Sequence, residues 1–332
     1  MSQRFVCIIV VLLALVFPRP SFGWIDAGHK VIALIAWEDL TDKTKSAVDE
    51  LLQQHPQYQK YLLTNLAQDG SDATKSRFAF ATAATWPDMV RSKGNPMNTL
   101  YNHPTWHYID LPFFEGYGNA STQPAPAEAK STNGEPTNAI EALLWAEKQL
   151  RDQSIRPSDR AIALCWLEHL VGDIHQPLHA VSMFSPDYPE GDKGGNAEWI
   201  LSDPPYPNSA EDLHLYWDSL PGNFKSQLMI GYVAAGVRAD PQFSRQSLKP
   251  LLASADYMAW AKESHDLAVK FAYADGHLDA AKSEKGRKPD RSVTIPGLPI
   301  NYEINAEHVA AHQVALGGYR LADVLNRIFG SP

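Results

Sequence analysis

The stretch "HLVGDIHQPLH", residues 169–179, decides how the chain is read. It closes the run "PSDRAIALCWLEHLVGDIHQ" (157–176), whose apolar residues recur at helical spacing behind a proline and a cap, so the run predicts a helix. On that helix His169 and Asp173 are four apart and share the face that carries Ile162 and Trp166. Burying a carboxylate and an imidazole beside Trp and Ile is costly unless they pair with each other or coordinate a cation. Pro177 ends or kinks the helix, which can turn His179 back toward the same place. The spacing recurs in "DLHLYWDS", where His214 and Asp218 flank Trp217. One His-x-x-x-Asp pair reads equally well as a hydrogen-bonded structural pair. Two such pairs with a trailing histidine favour a ligand set.

Working outward, helical signals dominate. "DAGHKVIALIAWEDL" (26–40) spaces Val31, Ile32, Ile35, Ala36 and Leu40 as one helix face, and "TDKTKSAVDELL" follows with Thr41 or Asp42 as cap. Residues 136–153 and 306–329 give two more helices, while strand signals are scarce. The expected fold class is therefore all-α, mainly helical, with little β-structure, as a single compact domain over residues 24–332. Residues 111–136 and 183–210, rich in Pro, Gly and small polar residues, are expected to be long surface loops. Asn119-Ala120-Ser121 is a glycosylation sequon.

The first 23 residues have Arg4, an apolar core from Phe5 to Phe17, and Ser21 and Gly23 before the expected cut. That is a secretory signal peptide, and the apolar core is shorter than the ~20 residues a spanning helix needs. The mature chain is expected to be secreted or periplasmic and to begin at Trp24, with a free amine five residues before His29. Cys7 leaves with the signal peptide, so Cys165 stands alone and no internal disulfide forms. The net charge of −9 argues against the basic footprint of most nucleic-acid binders.

"TWPDMVR" adds Asp88 and "TWHYIDLP" adds His107 to the donors. With His29 and the terminal amine, the donors are all nitrogen and oxygen, with no thiolate among them. Such mixtures suit zinc in catalytic sites, because structural zinc sites favour cysteine. There are too many donors for one four-coordinate ion.

The ordered series Trp24 with His29, Trp86-Pro87-Asp88, Trp106-His107-Tyr108-Ile109-Asp110, "HLVGDIHQPLH", "GDKGGN", "LHLYWDS" and "GYRLADVLN" resembles the zinc-dependent, single-strand-specific type I nucleases. The resemblance implies a helical architecture shared with zinc phospholipase C, and three zinc ions. One ion would take Asp88, His107, His169 and Asp173; a second the amine and carbonyl of Trp24, His29 and the bridging Asp173; the third His179, His214 and Asp218. It further implies an endonuclease, acting as a monomer with no membrane association after signal cleavage. Hydroxide activated by zinc would cut single-stranded DNA and RNA to 5′-phosphate products, with 3′-nucleotidase activity. Asp88 and Asp173 are the implied catalytic carboxylates, Arg91 the phosphate contact, Tyr108 the base-stacking aromatic, Asp110 the base-edge acceptor and Asn196 a polar contact in the pocket. Six added positive charges would draw a phosphodiester onto an acidic protein.

Glu168, His175, His103 and the pair His308 and His312 are expected to be structural, and the charge run 282–291 a solvated loop. Two rivals differ in testable ways. A zinc phospholipase C shares the fold and a similar histidine motif, but its first histidine lies farther from the N-terminal Trp and its later histidine is partnered by Glu rather than Asp. A non-catalytic zinc-binding envelope protein would explain the ligands but not Arg91, Tyr108 and Asp110 beside them.

Overall fold

The computed structural model describes residues 24–66, 71–117, 134–202, 209–283 and 287–330. The signal segment, the sequon at Asn119 and part of the charge run lie outside the described residues. Six helices precede the long motif helix: α1 (Asp26–Asp39), α2 (Asp42–Leu52), α3 (Asp72–Ala83), α4 (Trp86–Val90), α5 (Asn98–Tyr101) and α6 (Ala139–Arg151). Then come α7 (Pro157–Ile174), α8 (Leu213–Ser219), α9 (Gln227–Ala239), α10 (Lys249–Leu252), α11 (Tyr257–Leu267) and α12 (Tyr302–Phe329). The mainly helical class read from the sequence is what the chain adopts.

Local chemistry sets the helix ends. Thr41 caps α2 by accepting from the Thr44 N–H, and Asn138 caps α6 by accepting from Ile140 and Glu141. That cap moves the start of α6 three residues past the Pro136 expected from the sequence. Pro157 occupies the first turn of α7, where its missing N–H costs nothing, and the helix stops at Ile174 ahead of Pro177. The last helix begins four residues before the expected Ala306. Helices α3, α9 and α11 were not singled out from the sequence at all.

Helix α7 is buried from Ala161 to Ile174 without interruption, because α6, α1, α2 and α12 surround it. A helix with no side left for solvent belongs in the middle of a core, and α7 fills that place. Trp24, Trp86 and Trp260 are fully buried in the same core as Trp166 of α7, and Trp217 is fully buried in a second cluster. Truncating one such indole to Ala costs ~3–5 kcal/mol. Helix α1 crosses α7 where Gly172 lacks a side chain: a Cβ there would sit 2.6 Å from His29 Nδ1. Glycine inside a helix costs ~1 kcal/mol relative to Ala, and here it makes room for an imidazole.

Short strands correct the expectation of plain loops at 111–136 and 183–210, where four of the five described strands lie wholly or in part. Strand β1 (Pro112–Phe114) runs parallel to β2 (Ser182–Phe184), while β3 (Glu198–Leu201) lies antiparallel between β4 (Ala210–Asp212) and β5 (Ala281–Lys282). Strands of two to four residues are too short for a two-residue alternation to show in sequence. Cys165 is buried, as its apolar neighbours suggested.

Candidate metal centre

The motif residues converge because α7 ends where five other segments meet. Helix α1 brings His29, α4 brings Asp88, and a 3-10 turn at Pro104–His107 brings His107. Helix α7 carries His169 and Asp173, the 3-10 turn Pro177–Ala180 returns His179, and α8 presents His214 and Asp218 one turn apart. All eight side chains are buried. They form three groups: His29, His169 and Asp173; Asp88, His107 and His169; His179, His214 and Asp218.

Asp173 stands at the centre. Its Oδ1 lies 3.4 Å from His29 Nε2 and 3.7 Å from His179 Nδ1, and its Oδ2 lies 3.1 Å from both His107 Nδ1 and His169 Nε2. Asp88 Oδ1 is 3.9 Å from His107 Nδ1 and from His169 Nε2. In the third group, Asp218 Oδ1 is 3.8 Å from His179 Nε2, and Asp218 Oδ2 is 3.6 Å from His214 Nε2. Tetrahedral ligands at ~2.1 Å from zinc lie ~3.4 Å from one another, and these separations bracket that value. Both His29 ring nitrogens, His107 Nε2, Asp173 Oδ1 and Asp218 Oδ2 are buried without a hydrogen-bond partner. So many orphaned polar atoms in one place are costly unless a cation satisfies them. The donor set fits zinc.

Backbone carbonyls aim the rings. A carbonyl can only accept, so the Nδ1–H groups of His169, His179 and His214 donate to the carbonyls of Ala84 (2.8 Å), His107 (2.6 Å) and Gly194 (2.7 Å). Each ring thereby turns Nε2 toward the group, the usual arrangement behind metal-bound histidine. The Gly194 carbonyl is itself fixed. Asp192 accepts from the N–H groups of Met183, Gly194 and Gly195 and from the Tyr273 hydroxyl. Gly194 has φ +62, and a Cβ there would lie 2.4 Å from the Leu178 carbonyl oxygen, so glycine alone fits. Gln176 donates to Asp218 Oδ1 at 2.6 Å, holding that carboxylate in place.

Charge is distributed to favour a cation. Burial outweighs the nearby carboxylates at His29, His107 and His179, lowering them below 6.5; burial and then His179 lower His214 to about 3. Burial opposes a proton on His169 too, yet Asp173 and Asp88 prevail and raise it to about 9. Asp173 is held well below the usual carboxylate range because His169 and His179 outweigh its burial, whereas burial pushes Asp218 well above that range. Most of the imidazoles thus keep free lone pairs.

The remaining expected residues fall nearby or in supporting positions. Trp24 is fully buried, and the N–H of Ile25 donates to the Asp218 carbonyl at 3.2 Å, tying this segment to α8. Arg91 Nη1 lies 3.3 Å from Asp88 Oδ1. Tyr108 is 39% exposed directly after His107, and Asp110 is exposed. Asn196 donates its side-chain amide to the Lys193 carbonyl at 2.7 Å, a turn-closing bond. Its loop meets the centre through Gly194.

The residues set aside as structural stay outside the three groups. His175 donates to the Val171 carbonyl and accepts from Arg320, His103 stacks on Trp106 at 3.8 Å, His308 rests against Phe243 and His312 bonds Gln313. Glu168 is buried with both oxygens unpartnered, and burial raises its carboxyl well above the usual range. Sequence reasoning missed Gln176, which sits inside the central motif, and the three aiming carbonyls, which carry no side-chain signature.

The S1/P1 Nuclease family model matches residues 24–330. The chain is 25% identical to Endonuclease 4 of Arabidopsis thaliana, over 93% of this chain and 90% of that protein. It is 23% identical to Nuclease S1 of Aspergillus oryzae, over 94% of each, and 23% identical to Nuclease P1 of Penicillium citrinum, over 93% of this chain and 98% of the relative. With the three buried His/Asp groups in place, this match over nearly all of its length shows that the chain belongs to the S1/P1 nuclease family.

Proposed function

We propose that the chain is a secreted endonuclease holding three zinc ions, which hydrolyses phosphodiester bonds of single-stranded DNA and RNA to 5′-phosphate products and removes 3′-phosphates from nucleotides. The observation that carries this reading is the set of three buried His/Asp groups with separations suited to tetrahedral zinc, two of them joined through His169. Asp88, His107, His169 and Asp173 would hold one ion. The Trp24 amine and carbonyl, His29 and Asp173 would hold a second, and His179, His214 and Asp218 a third. Bound zinc supplies Lewis acidity, making a water nucleophilic near neutral pH and stabilising charge on phosphodiester oxygens.

The chain's own residues do the rest. Asp173, facing four imidazoles, fixes the two joined groups relative to each other. Arg91, anchored by Asp88, offers a guanidinium to a non-bridging phosphate oxygen. Tyr108 offers an open ring face on which any unpaired base can stack, which selects single strands without reading sequence. Asp110 accepts from a base edge, and Asn196, its amide already engaged by Lys193, completes the proposed substrate set. The family match begins at Trp24, which supports removal of residues 1–23 and a mature single catalytic domain over 24–332. Among the described residues no helix is long and apolar enough to cross a membrane.

Metal analysis of the mature protein alongside digestion of single-stranded and duplex DNA tests this reading. About three zincs per chain and preferential loss of the single strand support it. Release of phosphocholine without nucleotides, or full zinc with no cleavage, would sink it. Retaining one residue before Trp24 should weaken one zinc site, because an amide nitrogen cannot replace the amine.

A further inference from the structure

A cavity of about 630 Å³ opens beside the metal centre, and Asp88 forms part of its wall. None of Arg91, Tyr108, Asp110 and Asn196 lines it, so it is separate from the surface proposed to take the base and phosphate at the scissile bond. A second cavity of about 790 Å³ shares Asn65, Phe78 and Gln227 with the first. Together they make one groove that leads from the metal centre along α1, α3 and the start of α9. Each section has the size of a small-ligand site, ~300–1,000 Å³.

The lining carries two kinds of group. Tyr61, Phe78 and Phe224 present partly exposed rings, and Trp37 follows farther along. Lys30 and Lys225 line the first section and Lys45 the second, and none of the three has an ion-pair partner among the described residues. Lys45 Nζ instead lies 5.7 Å from the Trp37 ring. Arg77 is tied to Glu38 at 3.3 Å, and Asp26 is the further carboxylate in the wall besides Asp88. Lysines without carboxylate partners, interleaved with aromatic faces, suit phosphates and unstacked bases of a single strand. On a chain of net charge −9, Lys30 and Lys225 sharing a cavity wall with Asp88 are not a general property of the surface.

We infer that this groove is a strand-binding subsite: nucleotides flanking the scissile phosphate on one side lie along it, their phosphates on Lys30 and Lys225 and their bases against the rings. The inference rests on the nuclease reading and deepens it. It makes the enzyme an oligonucleotide binder whose efficiency grows with chain length on one side of the cut, rather than one that reads only the nucleotide at the metals.

The test compares a thymidine dinucleotide with a thymidine decamer, in the wild type and in a Lys30→Ala, Lys225→Ala double variant of the zinc-loaded mature protein. The wild type should show higher kcat/KM on the decamer than on the dinucleotide. In the double variant, kcat/KM on the decamer should fall about tenfold, and its log–log salt slope should flatten by about 1.4, the weight of two single-strand phosphates at ~0.7 each. Dinucleotide cleavage should stay within about twofold, because no proposed ligand is changed and neither is Arg91, Tyr108, Asp110 or Asn196. Equal losses on both substrates would overturn the subsite and place the lysines at the metal centre. No loss on the decamer, or no length dependence in the wild type, would show the groove empty. A wild type that cleaves neither substrate contradicts the nuclease reading itself, and the subsite with it.

Discussion

His169 and His175 stand six residues apart at the end of α7, and they show two ways of burying an imidazole. Both are fully buried, and both donate Nδ1–H to a backbone carbonyl, of Ala84 and Val171 respectively. They differ in what faces Nε2. For His169 it is His107 Nδ1 at 2.9 Å and the carboxylate of Asp173 at 3.1 Å, with Asp88 beyond; for His175 it is the Arg320 guanidinium at 3.0 Å. Burial disfavours a proton on both rings. The two carboxylates reverse that for His169 and raise it to about 9, whereas Arg320 adds to it and holds His175 well below 6.5. Residue type, burial and the Nδ1 bond to a carbonyl are the same. The charge opposite Nε2 decides which ring can meet a dication and which must serve as a neutral acceptor.

The surroundings of His175 extend that contrast. Arg320 stacks on Trp260 at 4.8 Å, pairs with Glu263 at 2.7 Å and donates to the Leu251 carbonyl. Gln313 donates to the His175 carbonyl and to the Ser264 hydroxyl, which donates to the Ile174 carbonyl. This network pins the end of α7, one residue past Asp173, without offering a metal site.

Removing the carboxylate side should have the largest effect. Asp173→Asn removes the negative charge and one of the two oxygens that four imidazoles share, so nuclease activity should fall by at least ~10³-fold, with zinc content dropping by about two ions, read by kinetics and atomic absorption. A variant that keeps both would erase the distinction between the two regions. On the guanidinium side, Arg320→Ala should cost ~3 kcal/mol of stability, since it strands Glu263 and leaves His175 Nε2 without a donor. Its zinc content should stay at the wild-type level, measured on the folded protein below its melting temperature. Between these lies Gln176→Leu, which removes the bond to Asp218 Oδ1. Affinity for one ion should fall ~10–100-fold with the others unchanged, as competitive chelator titration would report.

The smallest effect concerns His55, which resembles His175 in being buried without a facing carboxylate. Its Nδ1 accepts from the Gln57 N–H, its ring stands edge-on to Trp86, and burial lowers it from 6.5 to about 4. The unfolded chain therefore binds the extra proton first as pH falls. Stability is fully present above pH ~6.5 and declines toward pH ~4 with a slope of up to ~1.4 kcal/mol per pH unit from this group. Replacing it, as His55→Gln, should flatten denaturant-derived stability against pH across that window. An unchanged slope would mean that His55 stays neutral in both states.

How much of this could be read from the sequence follows from where each signal lives. The ligand candidates were legible because their side chains are chemically conspicuous and sit at helical spacing, as with His169 and Asp173 or His214 and Asp218. Helices α1, α6, α7 and α12 announced themselves through long apolar periodicities, α6 and α7 also through the proline and cap before them. What aims the rings was hidden. Ala84, His107 and Gly194 act through main-chain oxygens, and any residue has one. Arg320 meets His175 across 145 positions of sequence, so the opposite fates of the two histidines could be guessed only from helical facing. The strands inside 183–210 were hidden because β3 becomes a strand through partners supplied from 210–212 and 281–282.

The most direct test is an anomalous difference map at the zinc edge from crystals of the mature, metal-loaded protein. Three peaks are expected: two on either side of Asp173, bounded by His29, Asp88, His107 and His169, and one among His179, His214 and Asp218. No peak is expected at His175. A map with no density at Asp173, or with an ion beside His175 and Arg320, would contradict the assignment of the metal centre.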